Sequence, residues 1–430
     1  LSACAGLNNE NACPKESLVG MPRVSADLAT LPFWIKRLGK EADSILLSKR
    51  DIQELNETNQ MRPWAFQDVT SEHIVNAERI AQELKERRDW LHRRLDSGRY
   101  EEAAPGLMER ASLVIDAARP VDELRVLHAR AALRCIPSLE RLFAPHGTPE
   151  FDRNQCSGLT ASHLVRVLRR SGPWSYVHGA HSVGWVHEPK WSPPLSPDAA
   201  RQFRDNTPRL VITSRSAASS SETRHDLGES YPLKVDPAAP EQLTHSMPSI
   251  SGPGSSLSVA GPGVERGWLP FTRRNVLRLA FSELAQGYGW GETNGLTDCS
   301  RLLLDTFRPF GILLGRHSSD QARSGTSTIE LKGLKPNKKR EALRKGAKKG
   351  VVFLYMPGHI MLYLGEHEGK DYALSAIYSF RKRCADGDGD TDAILAKVAV
   401  SDLLVGLGTR RGSFLDRLER IAVFGKPPSR

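Results

Sequence analysis

The chain has 430 residues, 39% hydrophobic and 26% charged, which excludes a largely disordered polypeptide. Its length suits about three domains at roughly 150 residues each. Lys and Arg number 60 against 50 Asp and Glu, and the net charge of +10 suits an anionic partner such as nucleic acid, a membrane surface or a wall polymer. Six cysteines without a CxxC pair are too few for a disulfide scaffold and make no zinc pattern, and no apolar run approaches the roughly 20 residues of a membrane-spanning helix.

The chain opens Leu1-Ser2-Ala3-Cys4, which resembles the cleavage box of bacterial lipoproteins. That resemblance implies acylation of Cys4 and a place in the cell envelope, periplasmic and lipid-anchored. Residues 1–125 hold six prolines, 126–270 sixteen and 271–430 five, so the middle is expected to be short strands and turns. In the first part Ile74, Ala77, Ala81, Leu84, Leu91 and Leu95 recur at helical spacing, with Asp68, Thr70 and Ser71 as candidate caps. Leu107, Ala111, Val114 and Ile115 predict a second helix over 106–118. Residues 1–125 read as a helical clip domain without chemistry.

From 126 to 195 the pattern turns to strands. Leu164-Val-Arg-Val-Leu168, Trp174-Ser-Tyr-Val177 and Gly184-Trp-Val186 are separated by turns such as Gly172-Pro173, which suits a small barrel. Pro173-Trp-Ser-Tyr-Val177 followed by Gly184-Trp185-Val186 resembles the end of a bacterial Src-homology-3-like domain. Residues 196–270 read as a second small β-barrel, with strands at Leu210–Thr213 and Tyr231–Val235 and a Gly/Ser/Pro linker over 252–263.

The chemistry lies in 271–430. Val276, Leu279, Ala280 and Leu284 give a helical stripe over 273–285. Tyr288-Gly-Trp-Gly291 is a tight turn. Thr297-Asp298-Cys299-Ser300 then opens a second amphipathic helix that Pro309 and Gly311 stop. Cys299 thus sits in a first helical turn, where unpaired N–H groups and the helix dipole stabilise a thiolate, the nucleophile of covalent acyl transfer. Val351–Met356 and His359–Leu364 read as two strands around Pro357-Gly358. A helix-borne cysteine followed by a strand-borne histidine is the chain order of papain-like peptidases.

Four signatures in order carry a resemblance to the NlpC family of papain-like cell-wall peptidases. They are Tyr288-Gly-Trp-Gly, Asp298-Cys-Ser300, Arg316-His-Ser318 with Gln321, and Gly358-His-Ile-Met-Leu-Tyr-Leu-Gly365. With Src-homology-3-like domains, the resemblance implies a γ-D-glutamyl-diamino-acid endopeptidase that cuts peptidoglycan stem peptides between D-Glu and meso-diaminopimelate or Lys. It implies Cys299 as nucleophile, His359 as general base and later acid, and Tyr288 as a hydroxyl near the oxyanion. Asp298, Ser300, Arg316 and Ser318 would line the pocket for L-Ala-γ-D-Glu, with Asp298 on its ammonium and Arg316 on its carboxylate. The third residue, which orients His359, falls on Ser375 in Tyr372-Ala-Leu-Ser375, with His367 and Asp371 as alternatives.

The chain departs from the family pattern at several positions. The usual Gly-Gly is Gly291-Glu292. The usual Gly after Asp-Cys-Ser is Arg301, placed to crowd the cleft mouth. The barrel tyrosine that closes the amine pocket is Ser182, with Tyr176 as a candidate substitute.

Three features remain. From Lys332 to Lys349 nine of eighteen residues are basic and one is acidic, which localises most of the net charge. A general nucleic-acid protein is therefore disfavoured, and the run reads as a solvated loop and helix face or as a contact with anionic wall or lipid head groups. Asp386, Asp388, Asp390 and Asp392 imitate a calcium loop, but Thr391 and Lys397 replace its Gly and Glu, so no metal is expected. Cys135 and Cys156 are available to pair in an oxidising compartment. The expected protein is an α+β multidomain cysteine peptidase with boundaries at 125, 195 and 270. It needs no cofactor and acts on stem peptides or muropeptides. A wall-binding protein with a degenerate site and a papain-like acyltransferase or amidase are the alternatives.

Overall fold

The computed structural model describes residues 13–62, 67–144, 151–205, 208–215, 225–234, 244–247, 255–258, 263–385, 387 and 389–426. Cys4 and its lipoprotein-like box lie outside them, as do Asp386, Asp388 and most of the expected linker. The architecture is mixed α and β with several sheets, and chain contacts divide it into two units. The first comprises residues 1–65, 269–288 and 296–430, the second 66–268 and 289–295.

In the first unit seven strands form one sheet. They are β1 (Glu16–Ser17), β2 (Ser327–Glu330), β3 (Gly350–Met356), β4 (His359–His367), β5 (Lys370–Arg383), β6 (Asp390–Asp402) and β7 (Arg420–Gly425). Their order is β1-β6-β5-β4-β3-β7-β2, antiparallel except where β1 runs parallel to β6. The longer helices of this unit are α1 (Leu31–Leu38), α2 (Lys49–Gln60), α3 (Arg273–Ser282), α4 (Cys299–Phe307) and α5 (Pro336–Lys349). The two helices and the strand-turn-strand expected over 273–364 are therefore α3, α4, β3 and β4. Phe307 of α4 is fully buried and stacks on Phe353 of β3 and Phe424 of β7, with ring centroids 4.7 and 4.9 Å away. Burying such a ring stabilises by about 1.5–3 kcal/mol, so this stack fixes α4 against the sheet. A second cluster joins Leu343 of α5 to Val352, Leu354, Met361, Ile377 and Leu395. The basic run 332–349 is mostly α5. Lys339 is buried there and donates to the carbonyls of Asp416 and Leu418, while Lys338, Arg344, Lys345, Lys348 and Lys349 are exposed.

The second unit holds a six-stranded antiparallel sheet of Arg119–Val126, Leu164–Ser171, Trp174–Gly179, Val183–His187, Ala131–Arg134 and Gln155–Leu159, in that order. A five-stranded sheet runs Ser255–Ser258, Thr244–Met247, Ser230–Lys234, Arg209–Ile212 and Val264–Arg266. The expected helices are Ala77–Asp96 and Leu107–Asp116, and the cap of the first is Asn76, which accepts from the Arg79 N–H, rather than Asp68, Thr70 or Ser71. The expected boundary at 125 cuts the strand Arg119–Val126, and the clip divides: residues 13–62 pack with the first unit and 67–118 with the second. The reason is that helical periodicity identifies an apolar face without saying which sheet covers it.

Among the described residues two disulfides are formed. Cys135–Cys156 ties the residue that follows the strand Ala131–Arg134 to the neighbouring strand Gln155–Leu159. Cys13–Cys384, separated by 371 residues, ties the N-terminal segment to the end of β5. Cys299 is in neither and keeps its thiol.

Candidate active site

Cys299 is the first residue of α4 because Asp298 ends the preceding extended segment. The Asp298 carboxylate accepts from the Arg301 N–H at 2.9 Å, satisfying one of the helix's orphan donors. α4 packs on β4 and β5, and Cys299 is 8% exposed.

The groups expected to read the two ends of a dipeptide bind one another instead. Arg316 donates to both carboxylate oxygens of Asp298 at 3.1 and 2.5 Å and to the Ser300 hydroxyl at 2.7 Å, and all three residues are buried. Gln321 fastens this loop to α4 by donating to the Ser300 and Gly315 carbonyls. Ser318, half-buried, opens the short helix Ser318–Gln321. Arg301 does not crowd a cleft mouth: it is fully buried and bonds Asp305 one turn on at 2.6 Å.

His359 opens β4. The register that sets Leu362 opposite Leu374 and Tyr363 opposite Ala373 makes Ser375 a diagonal neighbour of His359, and its hydroxyl lies 3.1 Å from His359 Nε2. The contact uses Nε2. With the Ser375 oxygen accepting, Nε2 keeps its proton and Nδ1 presents its lone pair. The alternatives are elsewhere. His367 ends β4, eight residues or about 26 Å along the strand, beside Arg37 and Phe33. Asp371 accepts the Tyr363 hydroxyl at 2.6 Å. Burial, with the Arg417 guanidinium as second cause, pushes the His359 imidazole down to about 3. Its ring packs on Phe414 at 5.8 Å.

Tyr288 is half-buried. Its N–H donates to the Ala396 carbonyl of β6, and its ring meets Tyr378 edge-on at 5.6 Å, where a bulge interrupts β5. Sequence reasoning missed Tyr378, Phe414 and Arg417, because none stands in a motif. The departures also resolve. Glu292 adopts φ +69°, a conformation that favours Gly, while its buried carboxylate accepts from the Ser157 hydroxyl and the Gly158 N–H. Tyr176 is a core residue on Trp185, fully buried, and so presents no surface to a substrate amine. Asp392 pairs with Arg381, and Asp390 accepts the Arg410 N–H.

Residues 285–373 match the profile of the NlpC/P60 family. A solved structure described as a novel NlpC/P60 endopeptidase from Photobacterium damselae subsp. piscicida aligns with a TM-score of 0.74 at 14% identity, covering 97% of this chain and 100% of that one. An NlpC/P60 family protein from Bacillus cereus aligns with a TM-score of 0.45 at 14% identity, over 70% of this chain and 100% of that one. No curated protein matches the chain. Residues 285–373 are thus similar to the NlpC/P60 family, and the chain shares its fold with the Photobacterium structure.

Proposed function

We propose that this protein is a cell-wall hydrolase that cleaves the γ-D-glutamyl–diamino acid bond of peptidoglycan stem peptides, with Cys299 as nucleophile. One observation carries the reading. Cys299 heads a helix packed on the two strands that bear His359 and Ser375, and Ser375 holds the imidazole by Nε2. In this mechanism His359 Nδ1 takes the thiol proton as sulfur attacks the γ-carbonyl carbon. The Cys299 backbone N–H at the helix terminus and the Tyr288 hydroxyl meet the developing oxyanion. Collapse breaks the C–N bond, and His359 returns the proton to the leaving amine. Water then hydrolyses the thioester, with His359 again as base. Ser300, Arg316 and Ser318 line the acyl side, and the strands of 126–195 form a bacterial Src-homology-3-like domain. Two disulfides support an oxidising compartment, the bacterial envelope, with Cys4 as the lipid anchor.

The Asp298–Arg316 pair favours a particular form of this reading. A substrate ammonium would have to displace a buried guanidinium from Asp298, so the enzyme does not select a free N-terminal amine. The test is mass spectrometry of L-Ala-γ-D-Glu-meso-diaminopimelate with the wild type and Cys299→Ala. Wild type releases L-Ala-D-Glu and the free diamino acid, and the variant loses at least about 10³-fold in rate. Residual activity within about tenfold of wild type overturns the nucleophile assignment.

A further inference from the structure

A proton-returning histidine fixes where the leaving group lies. The amine expelled from the acyl carbon must come within hydrogen-bond reach of the imidazole, so the residue that carries it is read by what surrounds His359. Its aromatic neighbour is Phe414, which begins the single helical turn Phe414–Arg417. Ser413 caps that turn: its hydroxyl accepts from the Asp416 N–H, and the Asp416 carboxylate accepts from the Ser413 N–H and hydroxyl. The cap thus engages Oδ2 of Asp416, the acid next to Arg417 in sequence.

An open depression of about 220 Å³ lies beside the turn that precedes His359, and its lining includes Pro357, Lys332, Lys339, Asp416, Arg417 and Glu419. Its charges are unequal in availability. Lys339 is spent on two backbone carbonyls, and Glu419 faces Lys332 at 3.9 Å. Arg417 is half-buried and, among the described residues, makes no ion pair and no side-chain hydrogen bond. Burial and the neighbouring Arg411 both pull its pKa down, and its charge is felt at His359. A partly desolvated guanidinium without a counter-ion is costly, and an anion that pairs with it gains most of that cost back.

We propose that Arg417 is a specificity-determining residue that pairs with a carboxylate of the diamino acid leaving with its amine. This rests on the cleavage proposed above. Two carboxylates offer the same chemistry: the one on the carbon that bears the scissile amine, and the distal one that meso-diaminopimelate has and Lys lacks. Arginine suits either, because its planar fork accepts a carboxylate bidentately.

The test compares kcat/KM for four substrates, L-Ala-γ-D-Glu-meso-diaminopimelate, L-Ala-γ-D-Glu-L-Lys and the C-terminal amide of each, with the wild type, Arg417→Gln and Arg417→Lys. Wild type loses about tenfold or more on amidation if the first carboxylate is the partner, or on replacing diaminopimelate by Lys if the second is. Arg417→Gln flattens that ratio chiefly through KM, and Arg417→Lys restores part of it. A Gln variant that keeps the wild-type ratios, or slows all four substrates equally, overturns the proposal and leaves the cleavage reading intact. A wild type that cleaves none of the four overturns both, with circular dichroism showing that the protein is folded.

Discussion

Asp298 performs two tasks that a substitution can separate. Asn caps a helix about as well as Asp, so Asp298→Asn keeps the bond to the Arg301 N–H while removing the charge that Arg316 needs. With side chains 9% and 5% exposed, the guanidinium would be left buried without its counter-ion, which costs about 3–5 kcal/mol. The lower end applies, because the Ser300 hydroxyl stays available to Arg316. Arg316→Met costs less. It strands a carboxylate that keeps the Arg301 N–H, the Ser300 hydroxyl and the favourable end of the helix dipole. The double variant should therefore be more stable than Asp298→Asn alone, by about 2 kcal/mol. Asp298→Ala adds about 1 kcal/mol for the lost cap. A global signal would mix two units, so the reporter should be Cys299 itself, labelled by a thiol reagent across a urea series with Cys4 replaced by Ser. The other four cysteines are in disulfides. Strict additivity of the two single effects would refute the reasoning, since it would mean that the two charges do not interact.

The imidazole of His359 acts as a base only when neutral, and its pKa is pushed down to about 3, so the acid limb of kcat/KM should lie well below pH 5. Asp320, which burial raises to about 6, is the group that could mimic a histidine limb, and a limb near pH 6 that persists in Asp320→Asn would contradict the low value. Ser375→Ala should lower kcat about 10–100-fold with KM little changed, and Ser375→Asn should recover part of it; an unchanged kcat would remove Ser375 from the site. Acetylating the N-terminal L-Ala of the substrate should change kcat/KM by less than about threefold, measured by product mass spectrometry, and a loss above about a hundredfold would show that the Asp298–Arg316 pair opens to bind the amine.

What was legible in the sequence was local. The stripes of α3 and α4, the stop at Pro309 and Gly311, and the strands around Pro357-Gly358 each follow from residues within one or two turns of each other. Counting along the next strand then reached Ser375, because a hairpin converts sequence distance into register. Rotamers and partners that depend on packing were not legible. Nothing in the chain says that His359 meets Ser375 through Nε2, that residues 18 apart close into the Asp298–Arg316 pair, or that cysteines 371 apart are bonded. One miss did carry a signal. Arg301 and Asp305 stand four apart on a helix, the spacing of an ion pair, and that alone argued for a satisfied buried arginine over one in the cleft.

The departures from the family pattern divide by what they touch. Arg301 and Glu292 stand where small residues are usual, yet each brings its own buried partner, Asp305 in one case and Ser157 with Gly158 in the other. Such substitutions change packing and leave the reacting groups alone. Ser375 is different, because it touches the histidine. A hydroxyl stabilises an imidazolium less than a carboxylate would, and Arg417 adds a repulsive charge on the same ring. In the proposed mechanism both would disfavour a standing thiolate–imidazolium pair and favour transfer of the thiol proton during attack. A carboxylate drawn to Arg417 would, in the same proposed mechanism, arrive beside the imidazole that returns the proton, where that step needs its substrate held.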